Sequence, residues 1–578
     1  MKEKTIKLIK QGFPYYLIII MSCLIISPQI ISQGVILGTD SIFHFNRFYE
    51  TAQQIRYWNF SYFQSNYSFQ QSGRIINATY CPLFAYFNGI ILLFARSWYR
   101  YQIITNLLIY FIGGTGMYKL CIKLHSKQSI ALITAFIYMN IGWLPRWELA
   151  QNMNAWGAAL SPYMIICGIR MIQNSEQPIN VLQLMTVMTI IMQIHLLSSV
   201  FFVVALIPFF IAGLIHSNNP RLMWIDLLKA VIGTIILTAN IWGALLMINL
   251  NNHIAYPANF NLFANALRPA TFSNNRRFLS FFIWFLFTAQ FIFVIRKPHR
   301  SSLNTFITSW GFLILILSSV ITPWKKFQQW LPFLSHTLQF PSRLTIIAYP
   351  LLFAGIAMTI TTIVNSTPKY SLSRNSSIGI LVVTLLLVFI PTNITISKKV
   401  ANYYSDALFA NLSALAKVST NKAAIRYSTQ SSHPGQLLSL VEKRSPDYLP
   451  LPSNYAGNKS KHSYDYQSQI IKNANNFHHT VLKGGKLKIT WTADHSGTKR
   501  LPLVTYHESV LTVNGRRVTH YQRSSIGAPY VHEHQGLNTA TLRFKPASWF
   551  NYLLVIWLIS LSIYWVYGSY TFYKHRIA

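Results

Sequence analysis

The chain is poor in charged residues, and above all in acidic ones. Of its 578 residues 11% are charged, whereas about a quarter of the residues of a soluble globular protein are charged. Only 13 are Asp or Glu, against 49 Lys or Arg. This composition excludes an ordinary soluble protein. Apolar runs of roughly 17 to 25 residues, long enough to cross a bilayer, recur between Leu17 and Ile396 and return near the C-terminus.

Cysteine is scarce as well. The four cysteines all lie in or beside apolar segments, which indicates neither a disulfide framework nor a thiolate metal site. A small-residue cleavage site is also missing after the basic start MKEKTIKLIK and the apolar run that follows it. The N-terminal segment is therefore predicted to be an uncleaved membrane anchor rather than a signal peptide.

Long apolar runs are absent between Ser405 and Trp549, which predicts one extramembrane domain at 398–548. Its beginning, Asn402 to Lys417, predicts an amphipathic helix. Its second half alternates with period two, as in KLKITWTA and NTATLRFKP, and Asn514-Gly515 between two such runs is a hairpin signal. We expect a β-sandwich-like module. With 20 Lys and Arg against 7 Asp and Glu it carries a net charge of +13, which either attracts a polyanion or makes a soluble basic surface.

Short loops rich in Lys and Arg orient the spans, because such loops stay in the cytoplasm. The N-terminus and the basic loops at 119–127, 170–176, 216–229, 296–300 and 369–374 are therefore predicted to be cytoplasmic, as is the C-terminal tail. The pattern predicts spans near 13–33, 101–120, 128–146, 155–173, 180–194, 196–215, 230–248, 278–296, 302–321, 344–364, 376–397 and 549–567. Segment 82–94 is then a juxtamembrane helix within the outer segment 34–100, because counting it as a span would invert every later loop.

Six acidic residues precede the outer domain, and three of them fall on the predicted outer face: Asp40, Glu50 and Glu148. Asp40, in GTDSIFHFNRFYE, marks a helix start from which Asp40, His44 and Arg47 share one face. An acid, an imidazole and a guanidinium together suit a catalytic site. The same pattern also arises when an Asp caps a helix and pairs with a nearby His.

Three further residues stand out on the predicted outer face. They are Glu148 in LPRWELAQNMN, His195 in QIHLLSS and Arg343 in LQFPSRL. Each also has a structural interpretation: a surface salt bridge for Glu148, an ordinary interface residue for His195, and a headgroup contact for Arg343.

These motifs resemble a known family. An acidic residue just after the first span, an aromatic-proline helix start in TYCPLFAYF and a second acidic outer loop resemble the GT-C superfamily of membrane glycosyltransferases. HLLSS, LQFPSRL, DYLP at Asp447 and LPLVTYHESVLTVNGRRV resemble the YfhO-like bacterial membrane proteins. The resemblance covers most of the chain. This sequence departs from the pattern at Cys81-Pro82, where a proline pair is frequent, and at Ser342, where an aromatic residue is common.

The resemblance implies a polytopic α-helical membrane protein of about twelve helices with an extracellular β-rich domain before the last helix. The transmembrane domain would be 1–397, the outer domain 398–548, and the last helix with a short cytoplasmic tail 549–578. The implied activity is transfer of a sugar from a polyprenyl-phosphate donor to an extracellular acceptor, a glycopolymer such as teichoic acid or a polysaccharide, or a lipid. Nucleic acid is not an expected partner, whereas membrane lipids are.

The resemblance places Asp40 as catalytic carboxylate, Glu148 as second acid and Arg343 near the donor phosphate. The chemistry assigns Asp40 as the base that activates the acceptor hydroxyl, and Arg47 joins Arg343, with Arg268 or the Arg276-Arg277 pair, in holding the phosphate. His44 and His195 are candidate substrate-binding residues. No essential metal is expected, although Asp40, Glu148 and His195 leave a divalent ion possible in chemical terms.

The competing interpretation is a non-catalytic transporter or export factor for a cell-envelope lipid or polymer. Such proteins carry ionisable residues within their spans, or broken helices in inverted repeats. Neither pattern is evident in the sequence, where the candidate acids lie at the predicted outer rim.

Overall fold

A computed structural model describes residues 2–255, 258–296, 301–365, 371–410, 412, 414–452 and 459–577. The chain forms two compact units. Unit 1 comprises 1–38, 102–231 and 259–410, and unit 2 comprises 39–101, 232–258 and 411–578. Unit 2 thus combines most of the predicted outer domain with the segment that follows the first span.

The structure is mainly helical. Its α-helices are α1 (Lys2–Ser32), α2 (Ser41–Arg56), α3 (Pro82–Ala95), α4 (Trp98–Lys123), α5 (Gln128–Met139), α6 (Arg146–Ala150), α7 (Asn154–Gln173), α8 (Val181–Ile194), α9 (Leu196–His216), α10 (Pro220–Leu237), α11 (Ala239–Asn251), α12 (Phe281–Arg296), α13 (Ser302–Ser318), α14 (Trp324–Trp330), α15 (Thr345–Asn365), α16 (Ser371–Tyr404), α17 (Lys422–Gln430), α18 (Gly435–Leu440), α19 (Lys459–Tyr466) and α20 (Ser548–Ile577).

Several of these helices have the length and composition of membrane spans. Among the described residues, six meet that criterion: Gln11–Ser32, Asn154–Gln173, Leu196–His216, Pro341–Asn365, Asn375–Tyr404 and Ser548–Thr571. The helices α10 and α11 meet it together, but they are bent by 63° at their junction. Most predicted spans overlap one helix, but the span predicted at 230–248 crosses the bent junction of α10 and α11. The number twelve and the orientation stay predictions. Two loops used for that orientation, 296–300 and 369–374, lie partly outside the described residues.

Helix α3 is the predicted juxtamembrane helix. Its 14 residues make it about 21 Å long, the same length as α8, which is predicted to be a span, so its juxtamembrane position stays a prediction. It packs closely on α2 through Gly89, where an added Cβ would lie 2.8 Å from the backbone nitrogen of Ala52. Any larger residue at position 89 would push the two helices apart.

The strands lie mostly in unit 2. They are β1 (His253–Ile254), β2 (Arg268–Ala270), β3 (Phe278–Ser280), β4 (Leu415–Val418), β5 (Val441–Lys443), β6 (Pro450–Leu451), β7 (His478–Leu482), β8 (Lys486–Ala493), β9 (Gly497–Arg500), β10 (Ser509–Val513), β11 (Arg516–Val518), β12 (Tyr530–Glu533) and β13 (Gly536–Phe544).

The outer domain contains a five-stranded antiparallel sheet in the order β11-β10-β13-β8-β7 and a separate β9-β12 ribbon. Inward residues of the sheet, such as Leu487 and Leu542, share one apolar core with Val531 of the ribbon. The predicted hairpin is confirmed: Val513 pairs with Arg516 across Asn514 and Gly515, whose φ angles are 48° and 80°.

The helix predicted for Asn402 to Lys417 is wrong. The preceding helix α16 ends at Tyr404, turns follow to Ala410, and Leu415–Val418 is strand β4, which pairs with β5. Helical spacing of apolar residues in this short stretch was overridden by strand pairing with a partner more than twenty positions later, which periodicity cannot reveal.

Candidate functional site

The candidate site residues fall into two groups. Asp40, His44 and Arg47 belong to unit 2, and Glu148, His195 and Arg343 belong to unit 1.

Asp40 occupies the N-cap position of α2, as predicted from GTDS. Its φ and ψ are −105° and −1°, and its carboxylate makes no capping hydrogen bond to the helix. Asp40 and the preceding Thr39 are at least partly exposed, whereas the two residues that follow are buried. Asp40 therefore marks the start of α2 without acting as a hydrogen-bonding cap.

His44 and Arg47 are brought together one turn further along α2. Nη1 of Arg47 lies 3.1 Å from Nδ1 of His44, and both side chains are almost completely buried. The imidazole stacks on Phe48, with ring centroids 5.8 Å apart. The shared face predicted for these residues thus exists, and its two basic members are directed into the protein rather than to the surface.

The guanidinium of Arg47 fixes the chain before α3. Nε donates to Oδ1 of Asn77 at 3.1 Å, and Nη2 donates to the carbonyl oxygens of Tyr80 and Cys81. The guanidinium also lies 4.5 Å from the centroid of the Tyr80 ring. Burial lowers the pKa of Arg47, although nearby tyrosine groups oppose the shift. Each nitrogen of this arginine contacts the protein, so its evident task is to hold Tyr80 and Cys81 in place.

A segment of the outer domain, 434–450, runs along α2. The carbonyl oxygen of Pro434 accepts a 2.9 Å hydrogen bond from the indole of Trp98, whose ring stacks on Phe45 of α2 at 4.0 Å. Nζ of Lys443 donates to the carbonyl oxygen of Thr39 at 2.6 Å. The outer domain therefore reaches the residue that immediately precedes Asp40.

The same segment ends in DYLP, where Tyr448 lies against Tyr80. The two ring centroids are 6.2 Å apart and the rings are inclined by 70°. The turn is held by a second buried arginine, because Nη2 of Arg74 donates to the carbonyl oxygen of Asp447. The guanidinium of Arg74 also lies 4.5 Å from the centroid of Tyr466. Sequence reasoning missed Arg74, although it is the only charged residue between Arg56 and Arg96.

Glu50 has a structural task in the same unit. Its buried carboxylate accepts from the backbone nitrogens of Asn66, Tyr67 and Ser68 at 2.7 to 2.9 Å, and from the side chains of Ser68 and Gln54. Burial raises the pKa of Glu50, and these donors oppose the rise. A carboxylate so enclosed organises a loop and has no room for a substrate.

Glu148 lies in the short helix α6 of unit 1, where it is 1% exposed. Oε2 accepts a 2.9 Å hydrogen bond from the hydroxyl of Tyr110, while Oε1 has no hydrogen-bond partner among the described residues. Burial raises the pKa of Glu148 to about 8, with the Tyr110 hydrogen bond opposing the rise. At neutral pH Glu148 is therefore mainly protonated, and can donate a hydrogen bond or a proton.

His195 separates α8 from α9, as its position in QIHLLSS predicted. Its Nδ1 lies 2.8 Å from Oγ of Ser198, which in turn abuts α7, because a Cβ at Gly157 would lie 2.4 Å from that oxygen. Burial and the nearby positive charge of Arg343 lower the pKa of His195 to about 3. The neutral imidazole and Arg343 are thus close enough to interact electrostatically.

Arg343 belongs to a short 3-10 turn, Pro341–Leu344, which leads into α15. Its guanidinium donates to the carbonyl oxygen of Leu338 at 2.8 Å and to Oε1 of Gln339 at 2.9 Å, and it lies 4.7 Å from the ring centroid of Phe340. Arg276 contacts the same ring at 4.9 Å. Trp143, five residues before Glu148, joins this group through a 2.8 Å hydrogen bond from its indole to the carbonyl oxygen of Ser342.

The other arginines proposed for a phosphate lie on a neighbouring turn. Arg268 and Arg277 donate to the carbonyl oxygens of Phe263 and Ala264, at 3.2 and 2.7 Å. No Asp or Glu occurs in the sequence between Asp226 and Asp406. Unit 1 therefore gathers several guanidinium groups in a stretch that contains no acidic residue.

Within the described residues, no group of three or more His, Cys, Asp and Glu side chains is arranged to hold a metal ion. No protein-family model matches this chain, and no curated protein is significantly similar to it.

Proposed function

We propose that this chain is a membrane glycosyltransferase that moves a sugar from a polyprenyl-phosphate donor to an extracellular acceptor, an anionic glycopolymer or a lipid. The observation that supports it most is the cluster of arginines in unit 1. There Arg276 and Arg343 both contact Phe340, and the sequence between Asp226 and Asp406 contains no acidic residue. Planar guanidinium groups match phosphate oxygens and offset the charge of a phosphate leaving group.

The acids have complementary properties for such a reaction. Asp40 is partly exposed at the start of α2, and we assign it the role of base toward the acceptor hydroxyl. Glu148, buried and mainly protonated at neutral pH, is assigned the role of proton or hydrogen-bond donor. Arg47 and His44 then act as positioning residues, since both are buried and Arg47 binds backbone carbonyls. We place these residues and 398–548 on the outer face of the cell membrane.

The test is complementation of a strain that lacks the gene, with analysis of the sugars on its surface polymers and lipids. The wild-type chain should restore a missing sugar, and Asp40→Asn should not. Asp494→Asn, an identical change at an exposed acid of the outer domain, should behave as the wild type. Full restoration by Asp40→Asn would refute the assignment of the base.

The bent pair α10 and α11 favours the alternative of a transporter or export factor, because broken spans are typical of transporters. The same strains decide between the two. Unchanged surface sugars in the deletion strain, together with intracellular accumulation of an envelope lipid or polymer, would support export and overturn the transferase.

A further inference from the structure

Tyr80 and Tyr448 form an aromatic corner in unit 2. Their rings are inclined by 70° with centroids 6.2 Å apart, and both residues are partly exposed. The ring of Tyr80 lies directly against the buried His44 and Arg47. One tyrosine comes from the chain before α3, and the other from the outer domain.

Each half of the corner is fixed by a buried arginine. Arg47 donates to the carbonyl oxygen of Tyr80 and lies under its ring, and Arg74 donates to the carbonyl oxygen of Asp447. The hydroxyl of Tyr506 donates to the carbonyl oxygen of Tyr448 at 2.9 Å. Neither arginine has a carboxylate within salt-bridge distance among the described residues. Burying two such charges is unfavourable. Packing two tyrosines does not require this cost, which indicates that the arginines hold the rings for another purpose.

The backbone beside both rings is strained. Cys81 and Tyr448 have φ angles of 53° and 61°, in the left-handed region that residues other than glycine, asparagine and aspartate seldom occupy. Strained residues of this kind cluster at binding and active sites, where the surrounding structure holds them. Cys81 follows Tyr80, whose ring contacts that of Tyr448, so the two strained residues lie close together and indicate a preformed recognition surface.

The corner suits a particular ligand. The C–H face of a pyranose ring packs flat on an aromatic ring, and a second ring at a steep angle can border it and offer a hydroxyl group. We propose that Tyr80 and Tyr448 bind a pyranose ring of the substrate, so that the outer domain contributes directly to substrate binding. This inference rests on the proposed sugar transfer. A phosphate would instead require accessible charged donors, which a corner of two neutral phenols does not offer.

The decisive variant is Tyr448→Gly, because glycine adopts a positive φ without strain. If Tyr448 had only a structural role, the activity of Tyr448→Gly per molecule of folded protein would equal that of the wild type. Sugar binding instead predicts a normal amount of folded protein and a loss of the surface sugar of about tenfold or more, the size expected for one lost aromatic contact. Tyr448→Phe, which keeps the ring, should stay within about threefold of the wild type. Tyr427→Ala, which removes an exposed ring elsewhere, should be fully active.

A direct measurement keeps the two proposals separate. Saturation-transfer NMR on the purified full chain in detergent, with methyl glucoside, methyl galactoside and N-acetylglucosamine as probes, should show transfer to at least one sugar with the wild type and none with Tyr448→Gly. That outcome would support the corner even if complementation failed to restore any sugar. Equal transfer to both proteins, absence of transfer to all three probes, or full complementation by Tyr448→Gly would overturn it.

Discussion

The hydroxyl group of Tyr110 donates a 2.9 Å hydrogen bond to Oε2 of Glu148, and both side chains are buried. One neutral donor does not compensate for removing a carboxylate from water, which explains why the pKa of Glu148 is raised to about 8. The folded state therefore favours the protonated form of this side chain.

This relationship predicts a pH dependence of stability. The unfolded carboxyl ionises near its ordinary value of 4.5 and the folded one near 8, so the stabilisation present below pH 4.5 is lost as the pH rises toward 8. Because the side chain of Glu148→Gln cannot ionise, this variant should lose less stability than the wild type between pH 4.5 and 8. Thermal unfolding in detergent between pH 4.5 and 8 measures it. Identical pH profiles of the wild type and Glu148→Gln would mean that Glu148 does not titrate in this range.

Arg343→Lys tests the guanidinium group. A lysine cannot donate hydrogen bonds in one plane to the carbonyl of Leu338, the side chain of Gln339 and a phosphate. The rate of sugar transfer should therefore fall by one to two orders of magnitude. That corresponds to about 1.5–3 kcal/mol for one hydrogen bond of a charged group. The same change at Arg170, which donates to the carbonyl oxygen of Gln177 in a predicted cytoplasmic loop, should have no effect. Equal losses in both variants would indicate a general effect of the substitution.

Glu50→Gln should destabilise the protein without altering any reacting group. The amide NH₂ that replaces one carboxylate oxygen would face backbone N–H donors of residues 66–68, leaving buried donors unsatisfied. We expect a loss of about 2–3 kcal/mol, measured as a lower thermal midpoint of the purified chain. Glu176→Gln, in an exposed loop, is the control. An unchanged midpoint for Glu50→Gln would show that the loop does not depend on this charge.

Gly515→Ala should weaken the β10-β11 hairpin by about 1 kcal/mol, because a φ of 80° is unfavourable for alanine. No atom lies within 4 Å of an added Cβ at this position, so conformation alone is tested. Gly497 has the same open surroundings without a φ in the left-handed region, and Gly497→Ala should leave the thermal midpoint almost unchanged. Equal effects at both positions would argue against the hairpin geometry.

Cysteine labelling of intact cells tests the orientation. A cysteine at Asn514, which is exposed on the hairpin, should react with a membrane-impermeant maleimide from outside, and one at Glu176 should react only after permeabilisation. The reverse pattern would place the outer domain in the cytoplasm and exclude the proposed transfer to an extracellular acceptor.

Much of the fold could be predicted from local patterns. The alternating strands Lys486–Ala493 and Gly536–Phe544, the Asn-Gly turn and the apolar helices all carry their own signals. The union of 39–101 with the outer domain could not be predicted in this way. It depends on contacts such as that from Arg74 to Asp447, 373 residues apart, for which one sequence contains no periodic signal.

The candidate site could be predicted only where its residues are close in the sequence. The helix geometry that groups His44 with Arg47 is local, and so is the break at His195. Whether a buried arginine binds a substrate or its own backbone depends on which carbonyls meet it, as Tyr80 and Cys81 meet Arg47. Arg74 had one available signal, its isolation among uncharged residues, which was sufficient to single it out but not to assign its partner.

The arginine beneath Tyr80 also bears on selectivity. The buried charge of Arg47 creates a positive potential at the ring above it, since little solvent screens it, whereas the carboxylate of Asp447 acts on Tyr448 on the other side of the corner. The two rings would therefore present opposite charge to a bound sugar, with an acidic substituent favoured beside Tyr80 and a protonated amino group favoured beside Tyr448.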